Sequence, residues 1–169
     1  MKNLVFAIVL FAVISGFGGT KAQAQGKIGY ISMEELVGSM PEAKKADTTL
    51  GKYKEDLEKT QQDMQAELAS EEQQFIADSA KYSQVTKDMK RRELQDLYQQ
   101  VQTFPQDANN KFGLKQQEVY GPIQKKAIDA IQQVARENGY TYILTKENLI
   151  VSPPGDDILP LVKKKLGLQ

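Results

Sequence analysis

The sequence has no histidine, no cysteine and no tryptophan in its 169 residues. Without His or Cys it can build neither a Ser-His-Asp nor a Cys-His nucleophile system, and no Cys/His zinc site. Disulfides are excluded too, so cysteine usage says nothing about redox compartment. The chain also lacks a charge excess, with 22 Lys plus Arg against 22 Asp plus Glu. That balance argues against nucleic acid as a partner, because such binding draws its affinity from surplus cations facing phosphate. There is no glycine-rich phosphate loop. An EF-hand-like spacing at Asp107, Asn109 and Glu118 fails as a calcium loop, since Lys111 and Phe112 occupy the places of an oxygen ligand and the turn glycine. Adjacent carboxylates such as Glu71 and Glu72 diverge on a helix, so no acid-base pair is formed. The sequence thus points away from an enzyme and implies no cofactor and no metal.

Long apolar runs are scarce as well. The one present, Leu4–Ile14, is 11 residues long, follows Lys2, and precedes small residues ending in Ala22-Gln23-Ala24. At 1.5 Å per residue it spans about half of a ~30 Å bilayer core, so residues 1–24 read as a cleaved secretory signal and not as an anchor. The expected product is a soluble exported protein of net charge −2, since the signal carries Lys2 and Lys21.

The mature residues are unevenly apolar. Residues 42–104 hold 21 apolar residues in 63, and residues 119–168 hold 22 in 50. A compact core therefore belongs to the second stretch, joined by a short β-prone piece, Lys27–Ser32. Ser32 is placed to cap a brief helix over Met33–Val37, and Pro41 to open the next one. From there Ala43, Ala46, Leu50, Tyr53, Leu57, Thr60 and Met64 recur in steps of 3 and 4, a heptad seam, with a stutter expected beyond Met64. A second periodic run extends from Leu94 to Val134 and ends at Asn138-Gly139. One helix over all of this would be ~145 Å long. The polar stretch Asp78–Met89 instead predicts a turn near Tyr82–Lys87, with Ser83 capping the return helix, and two antiparallel helices of roughly 60 and 80 Å. Pro105 should kink the second helix, and Gly121-Pro122 should bend or break it.

After Gly139 the period becomes that of strands. Tyr140–Thr145 and Leu149–Val151 flank Lys146-Glu147-Asn148, which reads as a hairpin loop. A last amphipathic helix is expected to start at Asp156 or Asp157, presenting Ile158, Leu161, Val162 and Leu166. The fold class is therefore α+β: a small β-rich body made of residues 25–40 and 139–169, and a helical hairpin arm over 41–138. Two or three short strands cannot bury a sheet alone, so the chain is expected to oligomerise. Tyr140 and Tyr142 alternate on a strand face and read as core or interface residues.

The order of parts resembles the Skp/OmpH family of periplasmic chaperones. The marks are Lys27 to Ser32, Glu137 to Leu144, and the Pro154-Gly155-Asp156-Asp157-Ile158 entry to the last helix. The resemblance implies a periplasmic homotrimer, with Ile28, Tyr30, Tyr140, Tyr142, Leu144 and Ile150 in a trimerisation body and three coiled-coil arms, bent at Pro105 and Pro122, around a cavity. It implies an ATP-independent holdase for unfolded outer-membrane β-barrel proteins. The alternative is a passive exported coiled-coil spacer or adaptor. Family members are often strongly basic and this chain is not, so membrane contact is expected to be weak. Its charge runs in blocks: residues 55–80 carry eight carboxylates against Lys59, whereas the tip concentrates Lys81, Lys87, Lys90, Arg91 and Arg92 against Asp88 alone. Those five cations are the candidate contact for clients or anionic lipid.

Overall fold

A computed structural model describes residues 26–168; the secretory signal read at residues 1–24 lies outside them. The elements are β1 (Lys27–Ile31), α1 (Met33–Gly38), α2 (Pro41–Asp78), α3 (Gln84–Asn138), β2 (Tyr140–Thr145) and α4 (Leu159–Lys165). None of these helices is long and apolar enough to cross a membrane.

Local chemistry sets the boundaries. The Ser32 hydroxyl accepts from the Glu35 amide at 3.2 Å and starts α1, with Glu34 and Glu35 against the positive end of its dipole. Pro41 opens α2 where its missing amide costs nothing, and Met40 before it is extended. Gly139 closes α3 at φ 70°, a left-handed conformation that a Cβ would strain. With 38 and 55 residues, α2 and α3 are ~57 and ~83 Å long. They form the antiparallel arm, and the longer α3 continues into the body.

The body is built around β1. Its strand runs parallel to β2, with Ile28 opposite Tyr142 and Tyr30 opposite Leu144. On its other edge Tyr30 makes an isolated bridge to Asp157, the Ile158 amide donating to the Tyr30 carbonyl at 3.0 Å. The hairpin expected at Lys146–Asn148 does not form. Those residues make a 3₁₀ turn, and Leu149–Val151 pair with no strand. Where the chain crosses the end of β1 instead of turning back along β2, the Ser32 hydroxyl donates to Glu147 at 2.6 Å, and the Ile158 amide is bonded to Tyr30 beyond it. Leu149–Val151 thereby carry the chain from one edge of β1 to the other, and Ile150 is left fully exposed.

Ile31, Leu36, Met40, Ile158 and Val162 are wholly buried, and they pack with Ala46, Ile123, Ala127, Ala130, Val134 and Leu159 in one core. Asp157 supports the start of α4 by accepting from the Leu159 amide at 2.9 Å. Leu159 is buried where Leu161, expected on the inner face, is exposed. Gly29 is required by space: a Cβ there would lie 2.8 Å from the Tyr140 ring and 2.9 Å from Ile158.

The arm departs from its expected pattern at three places. The turn occupies Ser79–Ser83, not 82–87, because residues 84–87 are already the first turn of α3. Beyond Leu50, the half-buried positions of α2 are Tyr53, Leu57, Gln61, Met64, Leu68, Glu71, Phe75 and Asp78. Gln61 thus replaces Thr60 on the seam, and the stutter falls at Leu57–Gln61, before Met64. On α3 a matching step of four occurs at Phe104, Ala108 and Phe112. With both helices locally unwound at one level, a groove of about 440 Å³ opens between Leu57, Gln61, Ala108 and Phe112. Neither Pro105 nor Gly121-Pro122 breaks α3, which is continuous through both. Each proline removes one amide, and the rest of a 55-residue ladder holds the helix on either side.

Candidate functional site

Two surfaces carry the residues singled out in the sequence: the arm tip and the outer face of the body sheet. At the tip, Ser83 caps α3 by accepting from the Thr86 amide at 3.2 Å, and the Phe75 and Tyr82 rings stand 6.5 Å apart across the turn. The five cations surround it, but most are matched. Lys81 donates to Asp78 at 2.7 Å, Lys90 lies 2.8 Å from Glu93 and 3.6 Å from Glu71, and Arg91 lies 3.4 Å from Asp88. The hydrogen bonds to Asp78 and Glu93 hold the Lys81 and Lys90 ammonium groups above the usual lysine range. Among the described residues, Lys87 and Arg92 have no carboxylate within ion-pair distance. The tip is consequently much closer to neutral than its sequence suggests. It also exposes Ile76, Val85 and Met89. Sequence reasoning passed over these three, although the i, i+4 spacing of Val85 and Met89 off the heptad seam was the available signal.

On the body, the six residues assigned to an interface divide into two groups. Tyr30 is buried within its own chain, its hydroxyl donating to the Ser152 carbonyl at 3.2 Å. Tyr140 is half-buried against Gly29, with the Lys27 ammonium 4.0 Å above its ring centre. Ile28, Tyr142, Leu144 and Ile150 are exposed, by 50%, 62%, 42% and 103%. The parallel register sets Ile28 beside Tyr142 and puts Leu144 two residues along the same face. An apolar sheet face thus meets solvent, and among the described residues β2 has a strand partner on only one edge.

The arm joins the body through polar links as well as the core. Lys126 donates to Glu42 and the Tyr120 hydroxyl to Asp47, tying α3 to α2. The Lys126 hydrogen bond lowers the Glu42 carboxyl pKa. Tyr120 is shifted up, first by the hydrogen bond its hydroxyl donates to Asp47, then by burial and by the charge of that carboxylate. Glu147 is lowered by the hydrogen bond from Ser32. Lys163 lies 3.5 Å from Glu35 and Lys165 2.6 Å from Glu137, fastening α4. These contacts hold elements together and leave no converging carboxylates. No group of three or more Asp, Glu, His or Cys able to hold a metal occurs among the described residues.

Comparison with known proteins agrees with this architecture. A crystal structure of a candidate outer membrane chaperone (OmpH-like) from Caulobacter crescentus CB15 is similar to it, with a TM-score of 0.69, 20% identity, and 89% of each chain covered. At that identity the likeness concerns the fold. No curated protein sequence matches the chain. The family model described as "Outer membrane protein (OmpH-like)" matches residues 27–166, from the first strand through the last helix. The chain is therefore a member of the OmpH-like family.

Proposed function

We propose that the protein is a periplasmic, ATP-independent holdase that keeps unfolded outer-membrane β-barrel proteins from aggregating, and that it works as a homotrimer. The observation that carries the reading is the half-open seam of the arm. Tyr53, Leu57, Met64, Leu68, Phe75, Leu94, Leu97 and Val101 are each only half-buried, so apolar surface is offered along a rod that stands away from the body. Such distributed contacts, with flexible Met among them, suit a client without a fixed shape. A precursor with exposed strand edges aggregates with its own copies, and arms that surround it keep those copies apart. Membership in the OmpH-like family supports the same role. The trimer is proposed from the exposed face of Ile28, Tyr142, Leu144 and Ile150, which a single chain leaves wet. Contact with anionic lipid or acidic client segments is assigned to the tip, chiefly to Lys87 and Arg92, and is weak because their neighbours are matched.

The test combines light scattering of the purified protein with refolding of a denatured outer-membrane barrel protein. A trimer that suppresses aggregation near one trimer per client is the expected result. A dimer without suppression would favour a passive spacer. Reversing Lys87 and Arg92 to Glu, alone or together with Lys90 and Arg91, should weaken capture at low salt only; capture unchanged at low salt would remove the tip from the mechanism.

A further inference from the structure

A groove of about 650 Å³ lies where α1 and the starts of the arm helices meet, and it is separate from both the tip and the sheet face. Its floor is apolar, formed by Val37, Leu50, Tyr120 and Ile128. Its flank on α3 runs from Gly113 to Ile128, ~22 Å of helix, which matches six or seven residues of extended chain. Along that flank stand Gln116, Gln117 and Gln124, whose amides both donate and accept. They can satisfy the unpaired backbone of an extended segment whatever its sequence. The only charged side chains of the lining are two carboxylates, Glu34 and Asp47. Asp47 accepts from Tyr120; Glu34 is exposed and has no cation within ion-pair distance among the described residues.

We propose that this groove docks an extended segment of an unfolded polypeptide that alternates apolar residues with Lys or Arg. The apolar side chains rest on the floor, the backbone meets the glutamines, and the cation reaches Glu34 and Asp47. An acidic segment is disfavoured at the same place. The proposal rests on the chaperone reading and adds to it the sequence class that the arm base selects.

Fluorescence anisotropy with two labelled peptides tests it: acetyl-Gly-Val-Arg-Phe-Arg-Val-Gly, and its counterpart with glutamate in place of both arginines. The arginine peptide should bind about fivefold more tightly at low salt. Glu34→Lys, a surface change, should abolish that preference. Ile128→Glu should weaken the arginine peptide about tenfold. Equal affinities in the unaltered protein, or affinity unmoved by both substitutions, would overturn the proposal. So would a change of oligomeric mass in Ile128→Glu, which would make the groove a contact between copies. The unaltered protein is assayed for aggregation suppression in parallel. Suppression without peptide preference sinks the groove and leaves the holdase; peptide preference without suppression does the reverse.

Discussion

The base of the arm and its outer shaft are built from the same two helices, yet they pack differently. At the base, Ala43, Ala46 and Leu50 of α2 are buried, and so are Ile123, Ala127, Ala130 and Val134 of α3. Alanines let the helices approach closely, and the body covers the third side. Past Leu50 no residue of α2 is buried, and outward of Ile123 only Phe104 of α3 is. The seam residues there are larger, but two helices alone cannot enclose a seam. The backbone follows the same division. Residues 52–104 contain neither Gly nor Pro, whereas Gly51, Pro105, Gly113, Gly121 and Pro122 gather where shaft meets base. The lesson is that burial is concentrated in the base, while the shaft leaves its apolar side chains half exposed.

The contrast can be broken most strongly in the core. Leu36→Ala removes a side chain with no exposure and should cost about 3 kcal/mol in urea unfolding, whereas Leu97→Ala in the shaft should cost about 1 kcal/mol or less. Similar losses for both would show that the shaft is as tightly packed as the base. Gly29→Ala comes next. Its Cβ meets Tyr140 and Ile158 below 3.0 Å, so overpacking should destabilise by about 2 kcal/mol in the same assay.

The opposite sign is expected where shaft meets base. Gly51→Ala and Gly113→Ala add a methyl into open space on helices, and each should stabilise by up to about 1 kcal/mol. A loss instead would mean that the joint needs its glycines for contact. The smallest effect is acidic. Glu42 and Glu147 are held below the usual carboxylate range by Lys126 and Ser32. Their contribution is full above about pH 4.3, the unfolded value, and fades as pH falls through the lower folded values. Glu147→Gln should flatten part of that decline in thermal melts between pH 5 and 2 on that account, and an unchanged slope would remove Glu147 from it.

Much of the fold was legible because it is periodic and capped locally. The heptad of Ala43 to Leu57, the cap at Ser83 and the stop at Asn138-Gly139 each depend on neighbours in sequence. The strand partner was not. Leu149–Val151 looked like the mate of β2, but β2 pairs with β1 and the Ser32–Glu147 and Ile158–Tyr30 bonds fasten the following chain, all contacts far apart in sequence. Seam position 61 also escaped, because Gln61 is polar and its inward place is set by the facing helix. At the tip, composition showed five cations and could not show that Asp78, Glu93, Glu71 and Asp88 are within reach of three of them. Of the apolar body residues, alternation placed Tyr140 and Tyr142 on one strand face, whereas Ile28 beside Tyr142 comes from the pairing register, and the Tyr30 hydroxyl bonds a carbonyl 122 residues away.

The parallel pairing of β1 with β2 has a consequence for how the chain acquires its fold. Lys27 meets Tyr140, so closing the body directly means closing a loop of more than a hundred residues, at high entropic cost. The arm shortens that loop. Once α2 and α3 zip from Ser83 toward Glu42 and Lys126, the two halves of the body arrive side by side. A formed rod is in that sense a tether for the body, because β1 has no strand partner until residues 140–145 are made.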